Sequence, residues 1–518
     1  MARLESLLVF LSSFLSFVWA LGGAIPEMEE AMQIQREQLA RFSSFLGPTA
    51  QSQSHTKRQS TMTFSNPAAE AFLVDGTTIP DVNFDAGPSW AGLLPISGDP
   101  DETRKLFFWF WPTTNASNTK DLIFWTNGGP GCSSLEGFLQ ENGPISWSWG
   151  QAEPTPNPFA WNQLAHMIWV EQPVGTGFSQ GTPNITNDDE LAAQLVGFFG
   201  QFLEIFHELK GNDLWLTGES YAGFYVPRIA NFIYENPDLL DLSLQGIYIA
   251  DPSLTYGVVQ EDIPALRFAN QNVFPFNSSF MAQLQAASDA CGYTDYLDQF
   301  ITYPPAGPIP FPVGVPEGST SASAQCRLSL NPVFNIYRVT DTFPNLWSVL
   351  GFPRSTQEFI YFNRTDVQDA IHAPHINWEI CASKSVYAAG GDKSVASMLT
   401  AAGANISTLG NVIEKSVRTV VAHGLADMIL IAEGTRIAIQ NMTWGGLQGF
   451  QTPIEPESFV VDSPVAGVQG VYGNTHTERG LTYIEFYYSG HMTPQFVPWA
   501  AFSAISFLLG KQDSPSSG

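Results

Sequence analysis

Short, continuous apolar runs are the feature of this sequence that most restricts its fold. They occupy residues 105–111, 122–126, 166–170, 214–217, 246–250 and 417–422, and most of them lack an alternation of apolar and polar residues. Such runs are typical of strands that are covered on both faces. Two segments with helical spacing, 188–209 and 221–234, lie between them. The alternation predicts an α/β fold with a mostly parallel central sheet flanked by helices.

The alternation of strands and helices stops between residues 252 and 355. This stretch contains Cys291 and Cys326, a proline-rich run at 303–316 and a Ser/Ala/Gly segment at 318–324. Loop-forming residues at this density predict a loop-rich insertion or cap. We expect the insertion to interrupt one catalytic domain that spans residues 59–511 and is followed by a polar tail at 512–518.

The N-terminus has the features of a secretory signal. An apolar run at 7–21 follows Arg3 and ends near Ala20 with small residues. A run of about 15 residues is shorter than the ~20 needed to cross a bilayer, so a cleaved signal peptide at 1–20 is favoured over a membrane anchor. The charged stretch after it ends at Lys57 and Arg58, a pair that occurs at processing sites but also by chance. We interpret 21–58 as a propeptide and expect secretion or vacuolar delivery.

The charge of the chain argues against two classes of partner. Its 22 Lys and Arg residues stand against 49 Asp and Glu residues, which gives a formal net charge of −27. Electrostatic repulsion then disfavours nucleic acid and anionic membrane surfaces. Hydrophobic residues make up 44% of the chain, enough for the large core of a well-packed enzyme. The oligomeric state is left open by the sequence.

The cysteines and the glycosylation sequons fit an oxidising compartment. The cysteines are an even set, so two disulfides are expected with three pairings open: Cys132, Cys291, Cys326 and Cys381. None of their spacings resembles a zinc or redox site, so neither a metal nor a cofactor is predicted. Asn-x-Ser/Thr acceptors that indicate surface loops stand at Asn115, Asn184, Asn277, Asn363, Asn405 and Asn441.

A turn with a serine at its tip follows the apolar run at 214–217. Residues 213–223 read Asp-Leu-Trp-Leu-Thr-Gly-Glu-Ser-Tyr-Ala-Gly, and a helical pattern begins just after Ser220. This is the outline of a nucleophile elbow, which lifts a serine into a site and requires small residues around it. Ala222 replaces the second glycine of the G-x-S-x-G form, and Gly223 follows one place later. A Gly-x-Ser turn that merely begins a helix is the alternative.

Two further residues complete a candidate triad near the end of the chain. His491 follows a predicted strand at 483–488 and a glycine, and Asp427 lies just past the run at 417–422. The order Ser, Asp, His is that of α/β-hydrolases. Asp427 would orient the imidazole of His491, which would take the proton of Ser220 and return it to the leaving group. His423 competes for the base role, but its place at a strand end favours a structural one.

Several motifs in chain order resemble the serine carboxypeptidase family, and its fungal members most. Residues 124–135 read Phe-Trp-Thr-Asn-Gly-Gly-Pro-Gly-Cys-Ser-Ser-Leu, and Glu-Asn-Gly-Pro follows at 141–144. The segments 171–179, 218–223 and 490–492 also match, as does 366–372 with Trp378 and Cys381. Two departures are Glu171, where the family often has Asp, and the lack of an earlier acid within 424–427. The resemblance spans roughly residues 60 to 510 and implies the α/β-hydrolase fold.

The resemblance also implies roles for individual residues. Backbone N–H groups of Gly129 and Tyr221 would form the oxyanion hole. The terminal carboxylate of a peptide would be bound by Asn127, Gly128, Glu141 and Glu219. Two glutamates can face a carboxylate only if a proton is shared, because close anions raise one another's pKa. The alternative is that Glu219 is a helix-start charge and Glu141 a solvated surface residue.

The implied function is a serine carboxypeptidase that releases C-terminal amino acids from peptides and proteins, at acidic pH. By the same resemblance Cys132 would pair with Cys381, and Cys291 with Cys326. An acyltransferase or esterase on the same scaffold is the main alternative, because an alcohol could intercept an acyl-enzyme on Ser220. A catalytically silent binding protein is a third reading.

Overall fold

The structure is a computed structural model that describes residues 62–147, 151, 153–271, 276–310, 326–328, 361–388, 407–462 and 469–516. The predicted signal peptide at 1–20, the predicted propeptide at 21–58, Asn405 and most of the second half of the predicted insertion lie outside these residues. The bounds of the catalytic domain, 59–511, stay a prediction.

Fifteen strands are formed by the described residues. They are β1 Leu73–Val74, β2 Ser89–Pro95, β3 Lys105–Trp111, β4 Asp121–Thr126, β5 Ile145–Ser146, β6 Thr155–Pro156, β7 His166–Glu171, β8 Asp213–Glu219, β9 Ser243–Ala250, β10 Arg418–Gly424, β11 Thr443–Trp444, β12 Leu447–Gln448, β13 Glu455–Val461, β14 Gly470–Glu478 and β15 Leu481–Phe486. Strands β5 with β6 and β11 with β12 form two small antiparallel ribbons.

The other eleven strands form one mixed sheet in the order β1-β2-β3-β7-β4-β8-β9-β10-β15-β14-β13. Its centre, from β7 to β15, is parallel. Antiparallel strands extend both edges: β3, β2 and β1 on one side, β14 and β13 on the other. The mostly parallel sheet predicted from the apolar runs is therefore confirmed at the centre. The run at 105–111, however, forms an antiparallel strand, a direction that burial on both faces could not reveal.

Eleven α-helices lie among the described residues. They are α1 Ser134–Gly137, α2 Asp188–Ile205, α3 Ala222–Glu235, α4 Ala265–Asn270, α5 Ser278–Cys291, α6 Tyr296–Phe300, α7 Thr365–Ala370, α8 Thr408–Lys415, α9 Ala432–Asn441, α10 Thr493–Phe496 and α11 Pro498–Leu508. The Asn187 side chain caps α2 by accepting from Glu190 N at 3.0 Å. The helix predicted over 188–209 ends at Ile205, and a separate 3-10 turn, His207–Leu209, follows it.

Side chains of the central strands alternate between two hydrophobic cores. In β4, Leu122 and Phe124 belong to one core, and Ile123 and Trp125 belong to the other. Helices α2, α3 and α8 supply the first core, and α11 supplies the second. Each of these strand side chains is fully buried, which stabilises the fold by about 1.5–3 kcal/mol per large apolar residue. Because both faces of these strands are buried, their sequences do not alternate between apolar and polar residues.

The described part of the predicted insertion is more helical than its composition indicates. It contains α4, α5 and α6, which share a third core with Met428 and Ile431, residues that follow Asp427. The loop-rich expectation is thus wrong for residues 258–271 and 276–300, because packing against α9 supports helices whose sequence alone shows weak periodicity. This packing also fixes the chain just beyond Asp427.

The parallel strands bring the predicted catalytic residues to one edge of the sheet. Ser220 follows β8, Asp427 follows β10 and His491 follows β15. Strands that run the same way end at the same edge, where α/β folds place their sites. The described polar tail packs back on the domain, since Val460 N donates to Ser516 Oγ at 2.9 Å. No described helix is both long and apolar enough to span a membrane.

Candidate active site

Ser220 occupies a strained turn between β8 and α3. Its φ of 62° lies in the left-handed region, which is unfavourable for a residue with a side chain. Three backbone hydrogen bonds hold it there: its N–H donates to Ala250 O at 2.9 Å, and its carbonyl accepts from Gly223 N at 2.9 Å and Ser253 N at 2.8 Å. This is the geometry of a nucleophile elbow.

The elbow needs small residues at specific positions. A Cβ on Gly218 would lie 2.5 Å from Thr126 O, and one on Gly223 would lie 2.4 Å from Ser253 O. Ala222 is fully buried, so a methyl group is accommodated at that position. The prediction of a tightly packed turn is confirmed, and the glycine that the turn requires after the serine is Gly223.

His491 and Asp427 are in direct contact. Asp427 Oδ2 lies 2.8 Å from His491 Nδ1, and its other oxygen accepts from Ile429 N at 2.8 Å and Leu430 N at 3.2 Å. Burial opposes ionisation of Asp427, but the facing imidazoles of His491 and His423 hold the pKa of its carboxyl below the ordinary range. An ionised Asp427 assigns the hydrogen of His491 to Nδ1 and leaves Nε2 as the base.

The loops that carry these two residues are tied together by close backbone approach. Ala426 N donates to Ser489 O at 2.8 Å. A Cβ on Gly424 would lie only 2.2 Å from Gly490 O. Glycine at position 424 therefore allows the chain after β10 to approach the chain after β15, which sets the separation of Asp427 and His491.

The charge of His491 is coupled to acidic groups around it. Burial favours the neutral imidazole, but Asp427, Glu219 and Glu136 favour the cation and raise the pKa of His491 to about 9. Each proton that Glu219 or Glu136 takes up removes a negative charge facing the imidazole and so lowers its pKa. Protonation of the glutamates therefore lowers the basicity of His491, and their ionisation raises it. Glu219 directly precedes Ser220, so the elbow and the imidazole lie at the same end of the sheet.

His423, the competing histidine, is engaged elsewhere. Its Nε2 lies 2.6 Å from Leu430 O, and since a carbonyl only accepts, this nitrogen carries the hydrogen. Its Nδ1 lies 3.0 Å from Thr435 Oγ1. The ring is fully buried, and both nitrogens are occupied in holding the segment after β10 to α9. These contacts support the structural role expected for His423.

The loop after β4 packs directly on the elbow. A Cβ on Gly128 would lie 2.3 Å from Tyr221 N and 2.9 Å from Ser220 Cβ. Gly129 has a φ of 112°, which only glycine adopts readily. The two segments that carry the predicted oxyanion donors, Gly129 N and Tyr221 N, therefore meet beside Ser220. Their role as donors stays a prediction.

The amide of Asn127 is oriented by neighbouring donors. Trp125 Nε1 donates to Asn127 Oδ1 at 2.8 Å, and Gly137 N donates to the same oxygen at 3.3 Å. Because an indole N–H can only donate, Oδ1 must face it and Nδ2 must face the other way. Nδ2 donates to Glu219 Oε1 at 2.8 Å and lies 3.5 Å from Glu141 Oε1.

Glu141 and Glu219 share a buried pocket beside this amide. Each residue is only 4% exposed, and no described donor reaches the Oε2 atom of either one. Burial, the charge of Glu219 and a hydrogen bond between the two carboxyls raise the pKa of Glu141 well above its ordinary value. Burial also raises the pKa of Glu219, although His491 opposes this. Glu141 is thus the carboxyl that holds the proton, and the alternative that Glu141 is a solvated surface residue is wrong.

Two acidic residues of the site were missed by the sequence reasoning. Glu136 lies on α1, one residue beyond the motif at 124–135; burial and the charge of Glu219 raise its pKa to about 7, against the effect of His491. Asp251 follows β9 directly and is fully buried. A polar residue immediately after a buried parallel strand was the available signal for Asp251, the same signal that identified Asp427.

One group of three metal-type ligands exists among the described residues. Asp251, Asp427 and His491 each offer one ligand atom, and these atoms lie within 4.8 Å of one another. His491 Nδ1 and Asp427 Oδ2 already face each other in a 2.8 Å hydrogen bond. Two of the three residues are thus already paired with each other, and the expectation that no metal is used stays a prediction.

Glu171 joins three segments beneath the site. Its carboxyl accepts from Ser133 Oγ and Phe178 N, and from Trp378 Nε1 at 3.1 Å. Burial, partly offset by these donors, raises its pKa to about 7. A Cβ on Gly177 would collide with this carboxyl, so the glycine belongs to the same arrangement. Glutamate in place of the family's Asp is thus accommodated as a structural link.

Replacing Glu171 by alanine is expected to destabilise the protein. The change would leave three buried donors without an acceptor, which costs about 1–3 kcal/mol per group. We expect a fall of several degrees in the melting temperature, measured at a fixed scan rate. Glu70→Ala, at an exposed glutamate, is the control. An unchanged melting temperature for Glu171→Ala would contradict the linking role.

Both disulfides that the resemblance implied are present. Cys132 is bonded to Cys381, and Cys291 is bonded to Cys326. The first ties the loop next to Gly129 to the segment after Trp378, and Ser133 N donates to Ile380 O at 2.7 Å beside it. The second lies in the third hydrophobic core.

The described sequons differ in accessibility. Asn115, Asn184 and Asn277 are exposed, whereas Asn363 and Asn441 are half-buried. The structure therefore separates the acceptors into three open ones and two enclosed ones.

Comparisons with known proteins agree with this geometry. The profile of the family described as serine carboxypeptidase matches residues 80–274 and 339–511. The "Probable serine carboxypeptidase" of Arthroderma benhamiae is 43% identical over 485 residues, which cover 89% of this chain and 90% of that protein. "Serine-type carboxypeptidase F" of Aspergillus niger is 38% identical over 481 residues, covering 87% and 89%.

A solved structure shares the fold. The crystal structure of Kex1(delta)p, a prohormone-processing carboxypeptidase from Saccharomyces cerevisiae, superimposes with a TM-score of 0.63 at 19% identity and covers 86% of this chain and 97% of that one. The predicted α/β-hydrolase fold, with its mixed sheet and flanking helices, is confirmed.

Proposed function

This chain belongs to the serine carboxypeptidase family, and we propose that it releases C-terminal amino acids from peptides and proteins through an acyl-enzyme on Ser220. Membership makes it a serine-type hydrolase. The observation that carries the proposal is the buried glutamate pair beside the nucleophile elbow, because it supplies a reason for selecting a free peptide end.

In the first half of the proposed reaction, Ser220 Oγ attacks the carbonyl carbon of the last peptide bond. His491 Nε2 takes the hydroxyl proton, and Asp427 stabilises the resulting imidazolium across the 2.8 Å contact. The carbonyl oxygen becomes an oxyanion that accepts from Gly129 N and Tyr221 N. The C–N bond then breaks as His491 gives the proton to the leaving amine, which departs as the free amino acid.

In the second half, water replaces the amine. His491 takes a proton from water, the oxygen attacks the acyl carbon, and the ester bond to Ser220 breaks as the proton returns to Oγ. The peptide shortened by one residue leaves with a new terminal carboxylate. The same Ser220 and His491 therefore serve both halves without a metal or cofactor.

The terminal carboxylate would bind where Asn127, Glu141 and Glu219 meet. Asn127 Nδ2 already faces this point. The proton held by Glu141 lets one carboxyl donate to the incoming carboxylate, so three carboxyl groups can adjoin without three full charges. A C-terminal amide has an NH2 donor in place of one carboxylate oxygen, so it cannot offer a separate acceptor oxygen to both Glu141 and Asn127 Nδ2. The pocket would therefore discriminate between the two ends.

The raised pKa values give the pH dependence its sign. A carboxyl whose pKa lies above its ordinary value keeps its proton in mildly acidic solution and loses it as pH rises through the raised value. For Glu141 that loss would place three anions together and expel the substrate carboxylate. Binding should therefore weaken from acidic to neutral pH.

We expect KM for a free-acid peptide to rise about tenfold or more between pH 5 and pH 8. A tenfold rise corresponds to about 1.4 kcal/mol of binding free energy, the order of magnitude expected for the loss of one shared hydrogen bond. KM for the matching C-terminal amide should be high and nearly constant. Both are measured from pH 4 to 8 with one peptide sequence.

Glu141→Gln is the matched variant for this measurement. Its amide still donates but cannot ionise, so KM for the free acid should lose its dependence on pH. Equal KM values for acid and amide at every pH would refute the proposed recognition of free peptide ends.

We further propose that the chain enters the secretory pathway and is secreted or reaches a vacuole. The predicted signal peptide and dibasic pair near residue 58 support entry and processing. Of the described sequons, Asn115, Asn184 and Asn277 are the best glycan acceptors because their side chains are exposed.

A further inference from the structure

Asp251 is a buried acid that the proposed reaction does not yet use. It follows β9 with a φ of 44°, and its N–H donates to Ala422 O at 2.8 Å. Its Oδ1 accepts from Gly424 N at 2.8 Å. These two bonds attach Asp251 to the end of β10, and its side chain is completely excluded from solvent.

The second oxygen of Asp251 has no donor. Among the residues that the structure describes, none donates to Oδ2, although the atom is buried. A buried carboxylate oxygen without a donor is costly, whereas a carboxylic acid can donate its own hydrogen. An acceptor must then be near, and an Asp427 oxygen lies within 4.8 Å.

Asp427 has one acceptor position to fill. A carboxylate offers about four lone-pair positions, and three of them are taken by Ile429 N–H, Leu430 N–H and His491 Nδ1–H. His423 Nε2 lies 3.5 Å away, but its hydrogen is directed to Leu430 O at 2.6 Å. The remaining position suits the hydroxyl of a protonated Asp251.

The charges agree with this assignment of the proton. Two adjacent buried carboxyls cannot both ionise. Asp427 receives three N–H donors while Asp251 receives one, so the anion belongs on Asp427. Burial and the charge of Asp427 raise the pKa of Asp251 well above its ordinary value, and the pKa of Asp427 is lowered.

We propose that Asp251 is a positioning residue of the triad: as a neutral acid it donates a hydrogen bond to Asp427 and so fixes the plane of the carboxylate that orients His491. This inference rests on the proposed function, because it concerns the same triad. Ionisation of Asp251 would remove this hydrogen bond and place two anions side by side, so activity should fall on the alkaline side. The titratable groups that face Asp251 are Glu219, Tyr248, His423, Asp427 and His491.

The test compares Asp251→Asn with Asp251→Ala. Asparagine can accept from Gly424 N with Oδ1 and donate to Asp427 with Nδ2, so kcat should stay within about threefold of the wild type. Alanine removes the donor and releases the carboxylate, and we expect kcat to fall about tenfold to a hundredfold with little change in KM. The rate of labelling of Ser220 by a fluorophosphonate, which needs no peptide, should fall by the same factor.

The pH at which kcat falls on the alkaline side is a second measurement, and general damage to the structure would not shift it in the expected direction. This alkaline limb should move to higher pH in Asp251→Asn, because the amide cannot ionise. Asp188→Asn, at another fully buried aspartate, whose Oδ1 accepts from the Tyr387 hydroxyl at 2.6 Å, is the control and should leave kcat and the labelling rate unchanged.

Three results would overturn the inference: wild-type kcat in Asp251→Ala, a loss in Asp251→Asn as large as in Asp251→Ala, or an alkaline limb that is the same in wild type and Asp251→Asn. If Asp251→Ala does not fold, the comparison of the alkaline limb between wild type and Asp251→Asn still decides. Failure of the proposed function can be distinguished from failure of this inference. In that case the wild type would be labelled at Ser220 but would not cleave free-acid peptides.

Discussion

Ser220→Ala should lose peptide hydrolysis almost entirely, with a fall in kcat of about 10⁶-fold. Alanine retains the Cβ and can keep the strained backbone at φ 62°, but it has no oxygen to attack the peptide or carry the acyl group. Because the strain and the three backbone hydrogen bonds are unaffected, the variant should fold as the wild type does. The measurement is release of free amino acid from a peptide of defined sequence.

A fluorophosphonate probe checks the assignment of the nucleophile independently. The wild type should be labelled at Ser220, as shown by mass spectrometry of the tryptic peptide, and Ser220→Ala should not be labelled. Ser243→Ala, at an exposed serine on β9, serves as the control and should retain both labelling and hydrolysis. Residual hydrolysis by Ser220→Ala at even a few per cent of the wild-type rate would show that another group is the nucleophile.

Asp427→Asn should lower kcat by about 10⁴-fold while leaving the fold intact. The backbone N–H groups of Ile429 and Leu430 point at Oδ1, so the oxygen of an asparagine must stay there. Its Nδ2 would then donate to His491 Nδ1, which forces the imidazole hydrogen onto Nε2. A protonated Nε2 cannot accept the proton of Ser220.

A matched pair on the surface provides the control for this substitution. His375 Nε2 lies 2.7 Å from Asp369 Oδ1, but both side chains are more than half exposed. Asp369→Asn removes an aspartate-histidine contact of similar length, 2.7 Å against 2.8 Å, without touching the site, and it should not change kcat. A loss below tenfold for Asp427→Asn would mean that Asp427 does not set the tautomer of His491.

The sheet was predictable where local sequence carries the burial pattern. The run at 105–111 coincides with β3, and the run at 166–170 is one residue shorter than β7. The direction of pairing was not predictable for β3, which is antiparallel to its neighbours β2 and β7. An apolar run reports burial on both faces, but it contains no record of which strand lies beside it.

In the insertion, the sequence did not predict the helices that the structure contains. Helix α5, Ser278–Cys291, begins at an Asn277 cap that accepts from Phe280 N at 2.9 Å, a signal present in the sequence. Its apolar face is weak, and it becomes a helix of the third core only by packing with residues such as Leu297 and Met428. Packing of this kind is non-local, so composition alone indicated loops.

For the site, the sequence by itself determined which residues stand at strand ends and turns: Ser220 in its elbow, Asp427 after β10 and His491 after β15. It did so because a strained turn needs glycines nearby and because buried strands end in polar residues at a functional edge. Only the tertiary structure decided the charge states. The proton on Glu141, the raised pKa of His491 and the pairing of Asp251 with Asp427 depend on burial and on which carboxyls meet across β4, β8, β9 and β10. The distances between these charges are a property of the packed sheet.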